Sequence, residues 1–225
     1  IKRDGDQWFA SIMCELEVSE PVSRTVPVVA VDRGVINVAA DSDARIIEAP
    51  RYYRAALRRL AHAQRTIDRR RKGSKNREKA KLRAMRINRK VRRQREHFLH
   101  VLSHDYAKSH GTVVIEKLQI SNMVKANRGL ARGILDAGWG RFAEMLRYKL
   151  VWSGGMLLEV PAAYSSQTCS TCGYVDSKSR TSQSVFLCTS CGYREHADLN
   201  AAKVLKQRAC ESLVLACGGE LHQDP

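Results

Sequence analysis

The chain has 225 residues, a formal net charge of +16 at pH 7 and seven cysteines. This length allows one large domain or two modest ones, each with a hydrophobic core. No apolar run approaches the ~20 residues of a membrane span, and no basic-then-apolar signal peptide is present, so we expect no membrane association. The cysteine usage favours a reducing compartment over a disulfide framework, since Cys14, Cys210 and Cys217 are scattered.

The first residues carry a strand pattern. Trp8, Ala10, Ile12 and Cys14 alternate with other residues and predict a half-buried strand over residues 7–17. The Asp-Gly-Asp turn before it predicts a hairpin. Because the chain starts at Ile1 so close to this pattern, we expect it to be the C-terminal part of a longer protein.

Residues 26–48 predict a β-meander. The continuous apolar run Val28–Val31 is typical of a buried central strand. Asp-Arg-Gly at residues 32–34 interrupts the run. A second strand is predicted over Val35–Ala40 and a short third strand over Arg45–Ile47.

Residues 51–110 predict two antiparallel helices. The first helix is expected over Arg51–Lys72, a turn over Gly73–Asn76 and the second helix over Arg77–His110. Beyond them we expect a strand over Thr112–Glu116 and a mobile loop over Lys117–Ile134. The remaining elements are a helix over 139–153, a strand over 156–160, a helix over 197–208 and a fraying tail. This order predicts an α/β architecture.

The helical segment carries the excess charge of the chain. Between Arg51 and His97 there are 20 Lys/Arg and 3 Asp/Glu, a net of +17, whereas the rest holds 19 basic and 20 acidic residues. A solvated helical face explains any single basic residue, but this concentration favours contact with nucleic acid. The predicted contacts are Arg58, Arg65, Arg69, Arg70, Arg71, Lys72, Lys75 and Arg77.

Four cysteines have the spacing of a zinc ribbon. Cys169 and Cys172 form one CxxC knuckle, and Cys188 and Cys191 form a second after fifteen residues. Each knuckle continues as Cys-Gly-Tyr, and the glycine lets the backbone turn its N–H groups toward the sulfurs. The alternatives are a redox pair or buried free thiols. Four thiolates would fill the coordination shell, which indicates a structural ion rather than a catalytic one.

Three acidic residues stand where solubility does not explain them. Asp32 follows the buried run ending at Val31, and Glu116 closes the apolar strand 113–115. A carboxylate there is costly unless it is paired or binds a metal. Asp198 opens a helix, where the helix dipole alone could account for it. Together the three predict a two-metal nuclease site, because Mg²⁺ prefers oxygen ligands and two ions ~4 Å apart can cleave a phosphodiester.

Four segments resemble the transposon-encoded TnpB (OrfB) family. Val29–Val35 (Val-Ala-Val-Asp-Arg-Gly-Val) resembles the first acidic motif of its RuvC-like nuclease domain, and Val114–Leu118 resembles the second. Residues 165–173 resemble the entry of its zinc ribbon, and residues 198–202 (Asp-Leu-Asn-Ala-Ala) resemble the third acidic motif. The order and spacing of these segments agree with those of the family over residues 1–208.

The resemblance implies an α/β, RNase H-like (RuvC) mixed sheet with an inserted basic helical hairpin, an inserted zinc ribbon and a partial N-terminal β unit. The implied domains are the end of a β-rich wedge (1–24), the nuclease core (25–164, with the hairpin at 51–110), the ribbon (165–194), the last RuvC helix (195–210) and a tail (211–225).

The implied activity is that of an RNA-guided DNA endonuclease related to type V CRISPR effectors. Its partners would be a guide RNA and target DNA, in a prokaryotic cytoplasm and on the nucleoid when bound to DNA. Asp32, Glu116 and Asp198 become the catalytic ligands of two Mg²⁺ ions. The four ribbon cysteines become the ligands of one structural Zn²⁺.

Two departures from the family qualify this interpretation. The family often has an acidic residue two positions before the third aspartate, where this chain has His196. Family members also carry a wedge and a recognition domain before the nuclease, so the chain could hold the triad and still not find a target.

A non-cleaving guided binding protein is the main alternative. A tyrosine transposase has no histidine-linked tyrosine to support it, and a structural zinc protein leaves Asp32 and Glu116 unexplained. The sequence leaves the oligomeric state open.

Overall fold

The computed structural model describes residues 1–15, 17, 20–126 and 128–216. The chain divides into two compact units. The first contains Ile1–Glu20 and Pro50–His100, and the second contains Pro21–Ala49 with the described residues from Val101 onward. The helix α2, Lys75–Ser109, has residues in both units.

In the first unit, β1 (Lys2–Asp4) and β2 (Gln7–Phe9) form an antiparallel hairpin. The predicted strand over residues 7–17 is therefore wrong beyond Phe9, and Leu16 within it lies outside the described residues. The apolar alternation gave a wrong strand prediction because these side chains are not buried: Trp8 is 67% exposed and Ile12 is 82% exposed. An apolar alternation predicts a strand only where another layer covers it.

The two predicted helices are confirmed, with a shifted turn between them. The first helix, α1, spans Tyr52–Asp68 and ends before the predicted Lys72. The turn ends at Ser74, whose Oγ accepts from the Arg77 backbone N–H at 3.2 Å, as an N-cap of α2 does. Lys75 and Asn76, predicted as turn residues, are therefore helical. Buried Ala56, Ala63 and Ile67 line the packed side of α1.

The main sheet of the second unit is mixed and has five strands in the described residues. Its strands are β3 (Val28–Asp32), β4 (Asn37–Asp41), β5 (Ile46–Glu48), β6 (Thr112–Lys117) and β7 (Met156–Pro161). The order across the sheet is β5-β4-β3-β6-β7, with the meander antiparallel and β3, β6 and β7 mutually parallel. The predicted mixed α/β class is confirmed.

Both faces of this sheet are covered. Helix α6, Ala197–Ala216, packs Leu205 and Ala209 against Ala30 and Val114. The alternate strand residues Val29 and Val31 point to the opposite face and are fully buried. Such coverage explains why the central strands read as continuous apolar runs rather than as alternating ones.

The predicted mobile loop after β6 is wrong, because most of it is helical. Helices α3 (Ile120–Ala126) and α4 (Arg128–Ala137) precede α5 (Trp139–Trp152). One of the two glycines that suggested a loop, Gly133, has another role. A Cβ on Gly133 would lie 2.4 Å from Val35 Cγ1, so this glycine permits close packing rather than mobility.

The ribbon strands β8 (Val185–Leu187) and β9 (Arg194–His196) are antiparallel, and α6 follows β9 directly. Helix α6 runs past the predicted end of the last helix into the predicted tail, whose residues 217–225 lie outside the described residues. None of the helices in the described part of the chain is both long and apolar enough to cross a membrane.

Candidate metal centres

Asp32 and Glu116 lie at the carboxyl ends of adjacent parallel strands. The register pairs Val31 of β3 with Ile115 of β6, so the next residue on each strand is the acidic one. Parallel strands bring their carboxyl ends to one edge of the sheet, where ligands commonly bind. Glu116 is only 6% exposed. The strand ends thus hold two carboxyl groups side by side in a largely buried position.

The third predicted residue joins them from a different element. Asp198 lies in the first turn of α6 and is 6% exposed. Its Oδ2 accepts a hydrogen bond from Asn37 Nδ2 at 2.9 Å, and its Oδ1 accepts from Arg180 Nη2 at 3.1 Å. Its backbone N–H donates to His196 Nδ1 at 3.3 Å. Both carboxylate oxygens are thereby oriented by neighbouring side chains.

The electrostatics show that the three carboxyl groups share one region. Burial raises the pKa of Asp32 well above its ordinary value, and the neighbouring charges of Glu116 and Asp198 raise it further. Burial also raises the pKa of Glu116, although Arg33 acts against this. Like charges crowded in a buried site favour binding of a proton or a cation, so the site suits a divalent metal ion.

The oxygens of the three predicted carboxylate ligands do not form one compact cluster. Among the described residues, the four ribbon cysteines are the group of three or more candidate ligands whose ligand atoms all lie within 4.8 Å of one another. The three carboxylates are spread more widely.

Arg33, Asn37 and Arg180 are site residues that sequence reasoning did not identify. Arg33 is 6% exposed and donates its backbone N–H to Glu116 Oε1 at 3.0 Å. Its position directly after Asp32 was a usable signal, since a second charged residue at the end of a buried strand needs a partner. Asn37 and Arg180 carried no such signal, because only the fold brings them to Asp198.

The ribbon cysteines converge as predicted. Cys169 Sγ lies 3.8 Å from Cys191 Sγ, and Cys172 Sγ lies 3.6 Å from Cys188 Sγ. The four side chains could hold one metal ion. A shell of four sulfurs is typical of structural zinc sites.

The two knuckles repeat one local geometry. In each knuckle the backbone N–H of the glycine donates to the carbonyl of the first cysteine, from Gly173 to Cys169 at 3.0 Å and from Gly192 to Cys188 at 3.1 Å. The following glycines, Gly173 and Gly192, have φ of +73° and +75°, which side chains other than glycine seldom adopt. The backbone N–H groups of Cys191 and Ser190 lower the pKa of the Cys188 thiol to about 6, against the effect of burial. The thiolate that a metal requires is therefore favoured at Cys188.

A buried asparagine ties the entry of the ribbon to α6. Asn200 is fully buried, and its Nδ2 donates to the Thr168 carbonyl at 2.8 Å. Its Oδ1 accepts from the Ser170 backbone N–H at 2.9 Å. This residue, two positions after Asp198, thus fixes the first turn of α6 to the first knuckle. It was not identified from the sequence.

The predicted nucleic-acid contacts in the first unit fall into two groups. Arg77 is half-buried, and its Nη1 donates to the carbonyls of Ile67 at 2.7 Å and Arg70 at 2.9 Å. It therefore caps the end of α1. The other predicted contacts are exposed: Arg58, Arg65, Arg69, Arg70, Arg71, Lys72 and Lys75.

Other arginines of α2 are already paired within the first unit. Arg86 and Arg89 each contact Asp6 at 2.9 Å, and Arg92 pairs with Asp4. These carboxylates belong to the β1–β2 hairpin. The turn-proximal basic residues are accordingly better candidates for a polyanion than the paired ones.

Comparison with known proteins identifies the family. A family model named OrfB_IS605, described as "Probable transposase", matches residues 11–127, more than half of the chain. The chain belongs to the OrfB_IS605 family. A second model, "Cas12f1-like, TNB domain", matches residues 139–205, which include the ribbon and Asp198. The family resemblance predicted from the acidic motifs is confirmed.

Relatives in two bacteria carry related names. The chain is 38% identical over 232 residues to "Putative RNA-guided DNA endonuclease InsQ" of Escherichia coli (strain K12), covering 97% of this chain and 57% of that protein. It is 37% identical over 205 residues to "Putative RNA-guided DNA endonuclease" of Streptomyces pristinaespiralis, covering 90% and 50%. The chain spans about half the length of the curated relatives it matches.

Solved structures share the fold. The chain matches a chain of "Cryo-EM structure of CRISPR-Cas12f Ternary Complex" with a TM-score of 0.57 and 22% identity, over 85% of this chain and 41% of that one. A chain of "Cryo-EM structure of the Cas12f1-sgRNA-target DNA complex" matches with a TM-score of 0.56 and 19% identity, over 84% and 51%. At this identity the likeness establishes a common fold.

Proposed function

We propose that this chain is the nuclease part of an RNA-guided, Mg²⁺-dependent DNA endonuclease associated with a transposon. The observation that carries the proposal is the convergence of Asp32, Glu116 and Asp198 from two strand ends and a helix start. The names of the relatives in E. coli and Streptomyces support the activity. Guide RNA and target DNA are the proposed partners.

The proposed reaction is phosphodiester hydrolysis at the carboxylates. Two bound Mg²⁺ ions would supply an activated water and would stabilise the leaving oxygen. The chain's own contribution is to hold its oxygen ligands rigidly, which the sheet edge and the first turn of α6 accomplish. Asn37 and Arg180 orient the Asp198 carboxylate, and Arg180 places positive charge next to it.

The proposed fold assignment is an RNase H-like (RuvC) core. The strand order β5-β4-β3-β6-β7, with an antiparallel meander joined to parallel strands, supports it. The proposed domains are a wedge end at 1–24, a nuclease core at 25–164 with the hairpin at 51–110, a ribbon at 165–194 and a last helix that continues to Ala216, past its predicted end. In this scheme the ribbon is a structural Zn²⁺ site, and the exposed basic residues near the α1–α2 turn contact nucleic acid.

The family description names a transposase, but the site favours hydrolysis. Its buried groups are carboxylates, which are hard oxygen ligands for divalent metal ions. Strand transfer through a covalent tyrosine would need a tyrosine beside a histidine-bound metal, and the sequence offers no such context.

The test uses the full-length protein loaded with its guide RNA. Asp32→Ala, Glu116→Ala and Asp198→Ala are each expected to abolish Mg²⁺-dependent DNA cleavage while guide RNA binding persists. Glu144→Ala is the matched control, because this carboxylate is exposed and pairs with Arg141 on the surface of α5. If the three variants still cut DNA, the assignment is wrong. If the wild-type protein binds guide and target without cutting, the non-cleaving alternative replaces it.

A further inference from the structure

We propose that Arg33 is a positioning residue that fixes one carboxylate oxygen of Glu116 so that the other is presented to a divalent metal ion. The inference rests on the proposed function, since it concerns the same carboxylate site. It concerns a residue of the first acidic motif that was not among the predicted site residues.

The contacts of Arg33 converge on one oxygen of Glu116. The backbone N–H of Arg33 donates to Glu116 Oε1 at 3.0 Å, and the Nε of its side chain lies 3.5 Å from the same oxygen. The backbone hydrogen bond of Arg33 and the ion-pair contact of its Nε thus both engage Oε1. Among the described residues, Asp32 also hydrogen-bonds the Glu116 carboxylate, so a divalent ion bound to both groups would take the place of the proton that they share.

The rest of the guanidinium anchors the arrangement to the backbone. Nη2 donates to the Glu116 carbonyl oxygen, and Nη1 donates to the Trp139 carbonyl oxygen at 3.3 Å. One side chain therefore connects the end of β3, the end of β6 and the first residue of α5. Because these partners are backbone atoms of packed elements, the position of the guanidinium does not depend on flexible side chains.

The burial of Arg33 indicates a positioning role. Its side chain is 3% exposed and that of Glu116 is 7% exposed. Burying both charges is costly, and a pair of apolar residues often stabilises a fold as well. The Nε of Arg33 also has no hydrogen-bond partner in the described structure, so stability alone is poorly served by this geometry. Stabilisation of the fold therefore does not account for the buried Arg33–Glu116 pair, whereas orientation of the Glu116 carboxylate does.

Lysine cannot reproduce these contacts. Its ammonium is a point charge, whereas arginine presents a planar fork that reaches several acceptors at once. Arg33→Lys keeps the charge beside Glu116 and loses the simultaneous contacts to the Glu116 and Trp139 carbonyls. The substitution therefore separates positioning from charge.

The experiment measures Mn²⁺ binding to the zinc-loaded, full-length chain by the loss of the free Mn²⁺ signal in electron paramagnetic resonance. Arg33→Lys is expected to weaken Mn²⁺ binding about tenfold to a hundredfold, as other residues that orient metal ligands do. Zinc content is expected to stay close to wild type, whereas the melting temperature should fall, because the Glu116 and Trp139 carbonyls lose a buried donor. Arg141→Lys, an exposed arginine paired with Glu144 at 3.0 Å, is the control and should bind Mn²⁺ as wild type does.

A double-mutant cycle distinguishes positioning from general destabilisation. If Arg33 acts through Glu116, adding Arg33→Lys to Glu116→Gln should weaken Mn²⁺ binding no further. Additive losses, or an unchanged affinity in Arg33→Lys, would overturn the inference. Should Arg33→Lys not fold, Arg33→Gln replaces it in the same cycle and must give the same non-additivity. Absence of Mn²⁺ binding in the wild-type chain would instead refute the metal site of the proposed function itself.

Discussion

The guanidinium of Arg180 lies 3.1 Å from Oδ1 of Asp198, and the opposite oxygen of that carboxylate accepts from Asn37. A ribbon residue therefore supplies the counter-charge to a carboxylate on α6. Asp198 is 6% exposed, so its negative charge needs such a partner.

The Arg180→Gln substitution removes this counter-charge. Without Mg²⁺, we expect the variant to lose about 1.5–3 kcal/mol of unfolding free energy, the range for hydrogen bonds to charged groups. Added Mg²⁺ should reduce the difference in unfolding free energy between Arg180→Gln and wild type, because a bound cation replaces the missing charge. Urea unfolding with and without Mg²⁺ measures both effects. Arg194→Gln is the control, since Arg194 is an exposed ribbon residue. Equal stability of Arg180→Gln and wild type would contradict the expectation.

The raised pKa of Asp32 predicts a specific dependence of stability on pH. Burial, and then the charges of Glu116 and Asp198, raise this pKa above the unfolded value. The folded state therefore binds the proton more tightly. The resulting stabilisation is complete below the unfolded pKa and is lost as the pH rises through the folded pKa, by ~1.4 kcal/mol per unit of pKa shift.

Melting temperatures of the zinc-loaded protein, measured from pH 4 upward without added Mg²⁺, test this dependence. The wild-type protein should lose stability with rising pH relative to Asp32→Asn, which cannot ionise at this position. Saturating Mg²⁺ should reduce the loss. Parallel curves for the two proteins would show that Asp32 does not titrate as the structure indicates.

The cysteine cluster predicts a zinc requirement. Cys188→Ser removes one of the four converging thiols, so bound zinc should fall from about one ion per chain toward none, and the ribbon should lose its fold. Elemental analysis of the purified protein and its circular dichroism measure these changes. Cys210→Ser, which alters an exposed thiol outside the cluster, should retain zinc. Normal zinc content in Cys188→Ser would rule out the four-thiolate site.

The exposed basic turn predicts salt-dependent binding of nucleic acid. Replacing Arg69, Arg70 and Arg71 with glutamine should make the log–log salt slope less steep by about 2 to 3, because each phosphate contact contributes ~0.7–0.9. Fluorescence anisotropy with labelled RNA and DNA at several salt concentrations measures this slope. Replacing Arg86 and Arg92, which pair with Asp6 and Asp4, should change the slope less. Equal changes in the two variants would mean that the turn makes no special contact.

Arg77 should behave differently from its neighbours. Since it donates to the carbonyls of Ile67 and Arg70, Arg77→Ala should destabilise the helical hairpin by about 1–2 kcal/mol. The salt slope should hardly change. Lys75→Ala, which removes an exposed charge in the first turn of α2, is the control for stability. A large change of slope in Arg77→Ala would restore it as a nucleic-acid contact.

The sequence predicted the residues whose roles follow from local pattern. Asp32 and Glu116 stand out because each ends a buried strand, and the cysteines stand out by their spacing. The partners Asn37 and Arg180 were not predictable, because they reach Asp198 only through the folded sheet and ribbon. Likewise, Gly133 was predicted to lie in a loop, because its contact with Val35 arises only in the folded structure and cannot be inferred from neighbouring residues.

Strand β9 ends at His196 and α6 begins at Ala197, so no linker separates the ribbon from the helix that carries Asp198. Asn200 adds a second attachment between them. Ion occupancy at the cysteines and at the carboxylates should therefore be linked equilibria: an ion that orders the ribbon also orders the first turn of α6. Such linkage is reciprocal, so each ion should strengthen binding of the other by the same factor.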